Sequence, residues 1–227
     1  MSEIVSGAKL QRALPAGWEN LFAALLSDAL DAAGRTTQAM APRIRPLDDR
    51  LRLCGRARTG LYVEDDGDDP GSNPYELEIA IVDDLRPGDV AVFACGGSDR
   101  IAPWGSLLTT ATRARGGAGC VTDGFVRDIQ EIRAMQMPVF HGGIAPLDSK
   151  GRGHITQIDI PVMCGGVEVS PGDLVFGDAD GVVVVPQAIE AEVLRIAFEK
   201  LSGEHHTMRE LRQGAYLRDV YAKYGVL

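Results

Sequence analysis

Between residues 77 and 141 short apolar runs of strand length alternate with segments of helical periodicity, and this limits the fold more than any other feature. Residues 77–85 read as a helix, 86–89 (Arg-Pro-Gly-Asp) as a turn and 90–94 as a short buried strand. Helix 106–114, strand 119–122, helix 128–137 and strand 138–141 follow. Strands separated by helices call for a sheet with parallel members and helices packed on it. Residues 155–186 change character, with strand runs broken by Gly165-Gly166, Pro171-Gly172-Asp173 and Asp178-Ala179-Asp180-Gly181, so this third reads as β-hairpins. Val182 to Val185 is a β-branched run expected in the core. Residues 18–33 read as a helix ended by Gly34, 188–201 as an amphipathic helix and 208–227 as a further helical or docking segment. Pro-Gly-Asp occurs at 87–89 and 171–173, each before a strand, which is read as shared turn chemistry rather than a repeat.

No low-complexity linker divides the 227 residues, so one domain over 1–227 is expected, with a helical segment at 1–35 and a helical arm at 187–227. The acidic stretch 65–74 reads as a solvated loop. It lacks the twelve-residue ligand pattern and closing Glu of a calcium loop. With 23 Lys+Arg against 32 Asp+Glu, the net charge of −9 argues against a nucleic-acid partner. No apolar run is long enough to span a membrane, and no secretory pattern opens the chain, so a cytoplasmic location is expected. Cys54, Cys95, Cys120 and Cys164 form no CxxC pair and are expected to be reduced, buried thiols.

The chemistry concentrates between Cys95 and Arg152. A strand runs into Gly96-Gly97-Ser98-Asp99, then Ala102-Pro103-Trp104-Gly105-Ser106-Leu107-Leu108 enters a helix. A helix N-terminus offers unpaired amides and a positive dipole end, which favour a carboxylate or phosphate. Neither GxGxxG nor GxxxxGK[ST] is present, so nucleotide binding is unsupported. The next strand leads to Arg127-Asp128 at a strand-to-helix connection. Arg127 suits bidentate binding of a carboxylate. Asp128 suits a hard cation that keeps several waters. The bland alternative is a surface Arg beside a helix-capping Asp.

Gly105, then Ser106 separated by twenty residues from Arg127-Asp128, resembles the signature of the RraA-like proteins, among them the class II 4-hydroxy-4-methyl-2-oxoglutarate aldolases. Supporting matches are Ser27 to Asp31, Arg86 to Val90, Thr122-Asp123-Gly124, Pro138-Val139-Phe140, Gly177 to Val182 and the ending Tyr221 to Leu227. The resemblance implies an α/β fold of the swivelling β/β/α type, a mixed sheet with flanking helices. It implies a homotrimer or homohexamer with sites between subunits. It implies a Mg²⁺ or Mn²⁺ cofactor anchored by Asp128 largely through waters. Arg127 and Asp128 are then catalytic. Arg127 binds a small 2-oxo acid and steadies its enolate, and the Gly105, Ser106, Leu107, Leu108 amides hold its carboxylate. The implied activity is a metal-dependent carbon–carbon lyase. The alternative is a non-catalytic regulator acting by protein–protein binding. A methyltransferase function fails for want of the glycine-loop pattern that S-adenosylmethionine needs.

The chain departs from the aldolases at one position. Where they resemble one another in an acidic residue, this sequence has Ser106. A serine hydroxyl is a poor general base unless another group activates it. Retro-aldol cleavage needs a base for the departing hydroxyl, whereas oxaloacetate decarboxylation does not. Decarboxylation is therefore expected to be favoured. Asp99 is a candidate replacement. His141, Asp123, Lys150, Arg152 and Trp104 are weighed as cleft residues, with structural roles as the default for each. His154, His205 and His206 read as surface residues, and Asp178 and Asp180 as turn residues.

Overall fold

The computed structural model describes residues 13–65, 67 and 73–225. In chain order the helices are α1 (Ala23–Ala32), α2 (Glu76–Asp83), α3 (Ser106–Ala114), α4 (Ile129–Ala134), α5 (Glu190–Arg212) and α6 (Leu217–Tyr224). The first six strands are β1 (Arg45–Pro46), β2 (Leu53–Glu64), β3 (Asp89–Ala94), β4 (Gly119–Thr122), β5 (Phe125–Val126) and β6 (Val139–His141). The other six are β7 (Gly143–Ile144), β8 (Gly153–Ile158), β9 (Val162–Cys164), β10 (Val167–Val169), β11 (Leu174–Asp178) and β12 (Gly181–Val185).

The main sheet runs β1-β6-β4-β3-β2-β11-β12, with β8 also paired to β2. Strands β2, β3, β4 and β6 are parallel, as the crossover helices require. Strands β1, β8, β11 and β12 pair antiparallel. The outer edges converge: Met40 donates its amide to the Val182 carbonyl, Val184 donates to Gln38, and the Arg45 guanidinium donates to the Asp180 carbonyl at 2.9 Å. The mixed sheet is thereby nearly closed, with helices around it.

Both faces of the sheet are buried, so side chains of successive residues enter different cores. Val90, Val92, Ala94, Val121, Val175, Val182 and Val184 fill the interior with the β9–β10 hairpin. Ala91, Phe93, Cys95, Cys120 and Val139 pack outward with Ile81, Val82 and Ile132 from the helices. Leu174, Phe176, Val183 and Val185 meet α1 and α5 through Leu25, Leu26, Leu30, Val193 and Ala197. The four cysteines are free and buried.

Several details differ from the sequence reading, and the helix read as 188–201 runs unbroken as α5 to Arg212, into the segment expected to be separate. Residues 18–33 do not form one helix: a 3-10 turn at Trp18–Asn20 ends at extended Leu21 and Phe22 before α1 begins. The Asp178 carboxylate accepts the Ala23 amide at 2.8 Å, so a hairpin turn caps this helix from outside. The longest strand, β2, carries Arg56 and Arg58 in buried positions, which masked its periodicity. The two Pro-Gly-Asp turns are alike, as expected. Asp89 Oδ2 accepts the Arg86 amide at 2.9 Å, Asp173 Oδ2 accepts the Ser170 amide at 2.8 Å, and Gly88 and Gly172 both take positive φ. The calcium-loop question falls mostly on residues outside the described set, as do residues 1–12 of the N-terminal segment and Val226-Leu227 of the tail.

Candidate functional site

Trp104 forms a parallel bridge with Val126, and Arg127 donates its amide to the Trp104 carbonyl at 3.0 Å. The residues that follow on each strand, Gly105-Ser106 and Arg127-Asp128, therefore emerge side by side. Helix α3 starts on one branch and α4 on the other. Gly105 is required by the closeness of the two: a Cβ there would lie 2.7 Å from Asp128 Oδ2 and 3.2 Å from Arg127 Cγ.

Asp128 holds the position before α4 in a left-handed conformation (φ 57°, ψ 38°), which Asp tolerates better than most residues. Its carboxylate does not cap its own helix. Oδ2 reaches across to α3 and accepts both the Ser106 amide and the Ser106 hydroxyl, each at 3.0 Å. The anion at the α3 N-terminus is thus the protein's own Asp128, a favourable pairing with the helix dipole. Of the four residues expected to hold a substrate carboxylate, Ser106 gives its amide to Asp128. Leu107 and Leu108 keep first-turn amides that no helical carbonyl can satisfy.

Arg127, Asp128, Gly105, Leu107 and Leu108 line an open cleft, together with Tyr75, Glu78, Asp148 and Ser149. The Arg127 guanidinium pairs with Asp148 at 3.2 Å and donates to the Leu147 carbonyl at 3.2 Å. The Tyr75 hydroxyl donates to Asp148 at 3.0 Å. Although burial pushes the Asp148 carboxyl up, the Tyr75 hydrogen bond and the Arg127 charge outweigh it and hold the group below the usual range. Glu78 behaves oppositely. Burial drives its pKa up to about 7, with Asp148 adding to the shift, against the Tyr62 hydrogen bond and Arg127.

The sequence missed Tyr75, Glu78, Asp148 and Ser149. Glu78 left a signal: it opens the apolar stripe Glu78, Ile81, Val82, Leu85 at helical spacing, so a carboxylate stood on the buried face of α2. Asp148 lies on an irregular connection, where no periodicity points to it.

Other candidates go elsewhere. Asp99 is exposed and does not line the cleft. Asp123 is buried and accepts the Cys95 amide at 2.6 Å and the Gly165 amide at 3.3 Å, fixing the end of β3 to the β9–β10 turn. His141 is buried away from the cleft lining. Burial, aided by the Arg133 charge, lowers its pKa to about 4, so it is neutral. Trp104, by contrast, does line the cleft, while its side chain is fully buried, donates from Nε1 to Thr109 at 2.8 Å and packs edge-on to Phe93. Lys150 is exposed, and Arg152 donates to the Asp148 carbonyl at 3.4 Å outside the cleft lining. His206 stacks on Tyr224.

Among the described residues no group of three or more His, Cys, Asp and Glu is arranged to hold a metal ion. An all-protein cage for zinc is therefore not the pattern here. A hard cation that keeps most of its waters needs only one or two carboxylates. Asp128 meets that requirement: it is exposed, and its hydrogen bonds fall on Oδ2. No helix among the described residues is long and apolar enough to cross a membrane.

Known proteins resemble this chain in sequence and fold. A Halalkalibacterium halodurans protein named "Putative 4-hydroxy-4-methyl-2-oxoglutarate aldolase" is 35% identical over 186 residues, covering 82% of each chain. A Thermus thermophilus 4-hydroxy-4-methyl-2-oxoglutarate aldolase is 30% identical over 66% of this chain and 85% of its own. Among solved structures, Streptomyces coelicolor RraAS2, described as an unusual member of the RNase ES inhibitor RraA protein family, superposes with a TM-score of 0.77. It is 29% identical, over 85% of this chain and 95% of that one. The RraA-like family model, Aldolase/RraA, matches residues 23–184, and the chain belongs to that family.

Proposed function

We propose that this protein is a divalent-metal-dependent carbon–carbon lyase acting on a small 2-oxo acid. The observation that carries the reading is the meeting of Arg127, Asp128 and the first turn of α3 in one cleft. The names of the aldolase relatives support the same class of chemistry.

Asp128, with water, would hold a Mg²⁺ or Mn²⁺ ion. Such an ion supplies Lewis-acid polarisation of the 2-oxo group. Arg127 exchanges its Asp148 partner for the substrate carboxylate and faces the negative charge that develops as the carbon–carbon bond breaks. The Leu107 and Leu108 amides take a carboxylate oxygen at the positive end of α3. Tyr75 keeps Asp148 placed, so the guanidinium has a defined resting position.

The Ser106 hydroxyl is committed to Asp128 and is not a free base. Decarboxylation of oxaloacetate is accordingly the favoured activity over retro-aldol cleavage. Exposed Leu107 and Ile144, both near the Arg127-Asp128 corner, are apolar surface that a neighbouring subunit in a trimer or hexamer would cover.

The test is pyruvate release from oxaloacetate and, separately, from 4-hydroxy-4-methyl-2-oxoglutarate, each with Mg²⁺, with a chelator and with Arg127→Ala. Release that needs the metal and vanishes in the variant supports the lyase. No release from either substrate, with an intact fold, overturns this choice of substrate and turns attention to protein binding.

A further inference from the structure

The cleft contains one carboxyl that the proposed function leaves without a task. Glu78 on α2 lines the cleft yet is only 6% exposed. The Tyr62 hydroxyl, reaching from β2, donates to Glu78 Oε2 at 2.6 Å. Among the described residues that is the only hydrogen bond the carboxyl takes, which leaves Oε1 without one.

A lyase that produces an enolate needs a group to protonate carbon, whichever bond was cleaved. The other carboxyls in the cleft are poorly placed for this. Asp148 is tied to Arg127 and Tyr75 and is held ionised, so it has no proton to give. Asp128 is the residue that would hold the metal and accepts two hydrogen bonds from Ser106. Ser106 is spent on Asp128.

Resting on the lyase reading, we propose that Glu78 is the catalytic acid–base residue that protonates C3 of the pyruvate enolate. In oxaloacetate decarboxylation the C3–C4 bond breaks, CO2 departs, and the electron pair passes into the enolate. As the enolate collapses to the 2-oxo group, C3 takes the proton from Glu78 and pyruvate forms. Glu78 is left as a carboxylate and regains a proton from water. In reverse, the Glu78 carboxylate removes a methyl proton from pyruvate. Retro-aldol cleavage yields the same enolate and needs the same proton. The groups that bear on this carboxyl are Tyr62 on β2, Asp148 on the loop between β7 and β8 and Arg127 before α4. Burial, set against the Tyr62 hydrogen bond and the Arg127 charge, leaves it near neutrality, where one group gives and takes a proton with equal ease.

The experiment follows exchange of the pyruvate methyl protons into D2O by NMR with the Mg²⁺-loaded protein, alongside oxaloacetate consumption. Glu78→Gln is expected to slow exchange by about 100-fold or more. Oxalate, an enolate mimic, should still bind Glu78→Gln by calorimetry with near-wild-type affinity. A protonated-carboxyl infrared band that titrates near neutrality in the metal-free protein should be lost in Glu78→Gln. Tyr62→Phe removes a bond that favours the carboxylate, so it should move the exchange pH profile upward. It also provides a test should Glu78→Gln fail to fold. Wild-type exchange in a folded Glu78→Gln, or an unmoved profile in Tyr62→Phe, would overturn the assignment while leaving the lyase standing. A wild-type protein that neither exchanges pyruvate protons nor consumes oxaloacetate would overturn both.

Discussion

At the scale of single residues the site depends on how closely two backbones approach. Gly105 touches both Asp128 and Arg127, so Gly105→Ala must push one of them away. The Asp128–Ser106 pairing would be lost and Arg127 displaced. Because the clash is with the side chains of exposed Asp128 and half-buried Arg127 rather than with core residues, the melting temperature should hold to within a few degrees while turnover falls at least about tenfold. Loss of fold with retained specific activity would contradict this. Ser106 gives a complementary test. Its hydroxyl contributes one of two bonds to Asp128, so Ser106→Ala should weaken the pairing by about 1 kcal/mol and leave the amide bond. Ser106→Asp would instead set a second carboxylate beside Asp128. Calorimetry should show tighter Mg²⁺ binding in that variant, and assays should show a higher ratio of aldol cleavage to decarboxylation. An unchanged ratio would mean that residue 106 does not decide between the two reactions.

At the scale of elements, β2 links the halves of the sheet. One edge pairs with β3, while the other pairs first with β11 and then with β8. Arg56, in its first half, makes a two-pronged contact with Glu190 at the start of α5, at 2.6 and 2.9 Å, with both side chains buried. Removing only one member of such a pair is costly, so Arg56→Met should destabilise by about 3–5 kcal/mol. The double change Arg56→Met, Glu190→Leu should recover most of that loss in urea unfolding. No recovery would show that the remaining contacts of these residues dominate. This pair also explains what the sequence concealed. Strand β3 was legible because Val90 to Ala94 are apolar on both faces. Helix α3 was legible because its glycine entry and amphipathic spacing agree. Strand β2 was not, because buried charge satisfied by partners elsewhere in the chain breaks the apolar pattern, and the partner of Arg56 lies 134 residues away. The site divided in the same way. Arg127-Asp128 and the α3 entry are contiguous motifs at a strand end. Asp148 reaches Arg127 only through tertiary placement, and Glu78 was hidden within an apolar stripe.

At the scale of the whole molecule, two buried groups oppose one another in pH. Glu78 has its pKa raised by burial to about 7 from 4.5. Between those values the folded chain holds a proton that the unfolded chain has released, so stability from this group is lost as pH rises. His141 has its pKa lowered, by burial and by Arg133, to about 4 from 6.5. Between those values the unfolded chain holds the extra proton, so stability from this group is lost as pH falls. Each slope is about 1.4 kcal/mol per pH unit, of opposite sign, over the shared window from pH 4.5 to 6.5. In the wild-type protein the two nearly cancel. Glu78→Gln should leave the His141 slope alone, so its stability relative to wild type rises with pH across the window. His141→Gln should leave the Glu78 slope alone, so its relative stability falls over the same interval. The double variant should run parallel to wild type, because the groups lie on different elements and only the cleft contains one of them. Urea unfolding at half-unit pH steps reads all four curves. Parallel curves for the single variants would mean that neither group is buried with the charge state assigned to it. For Glu78 that result would also remove the proton on which its role in the cleft depends.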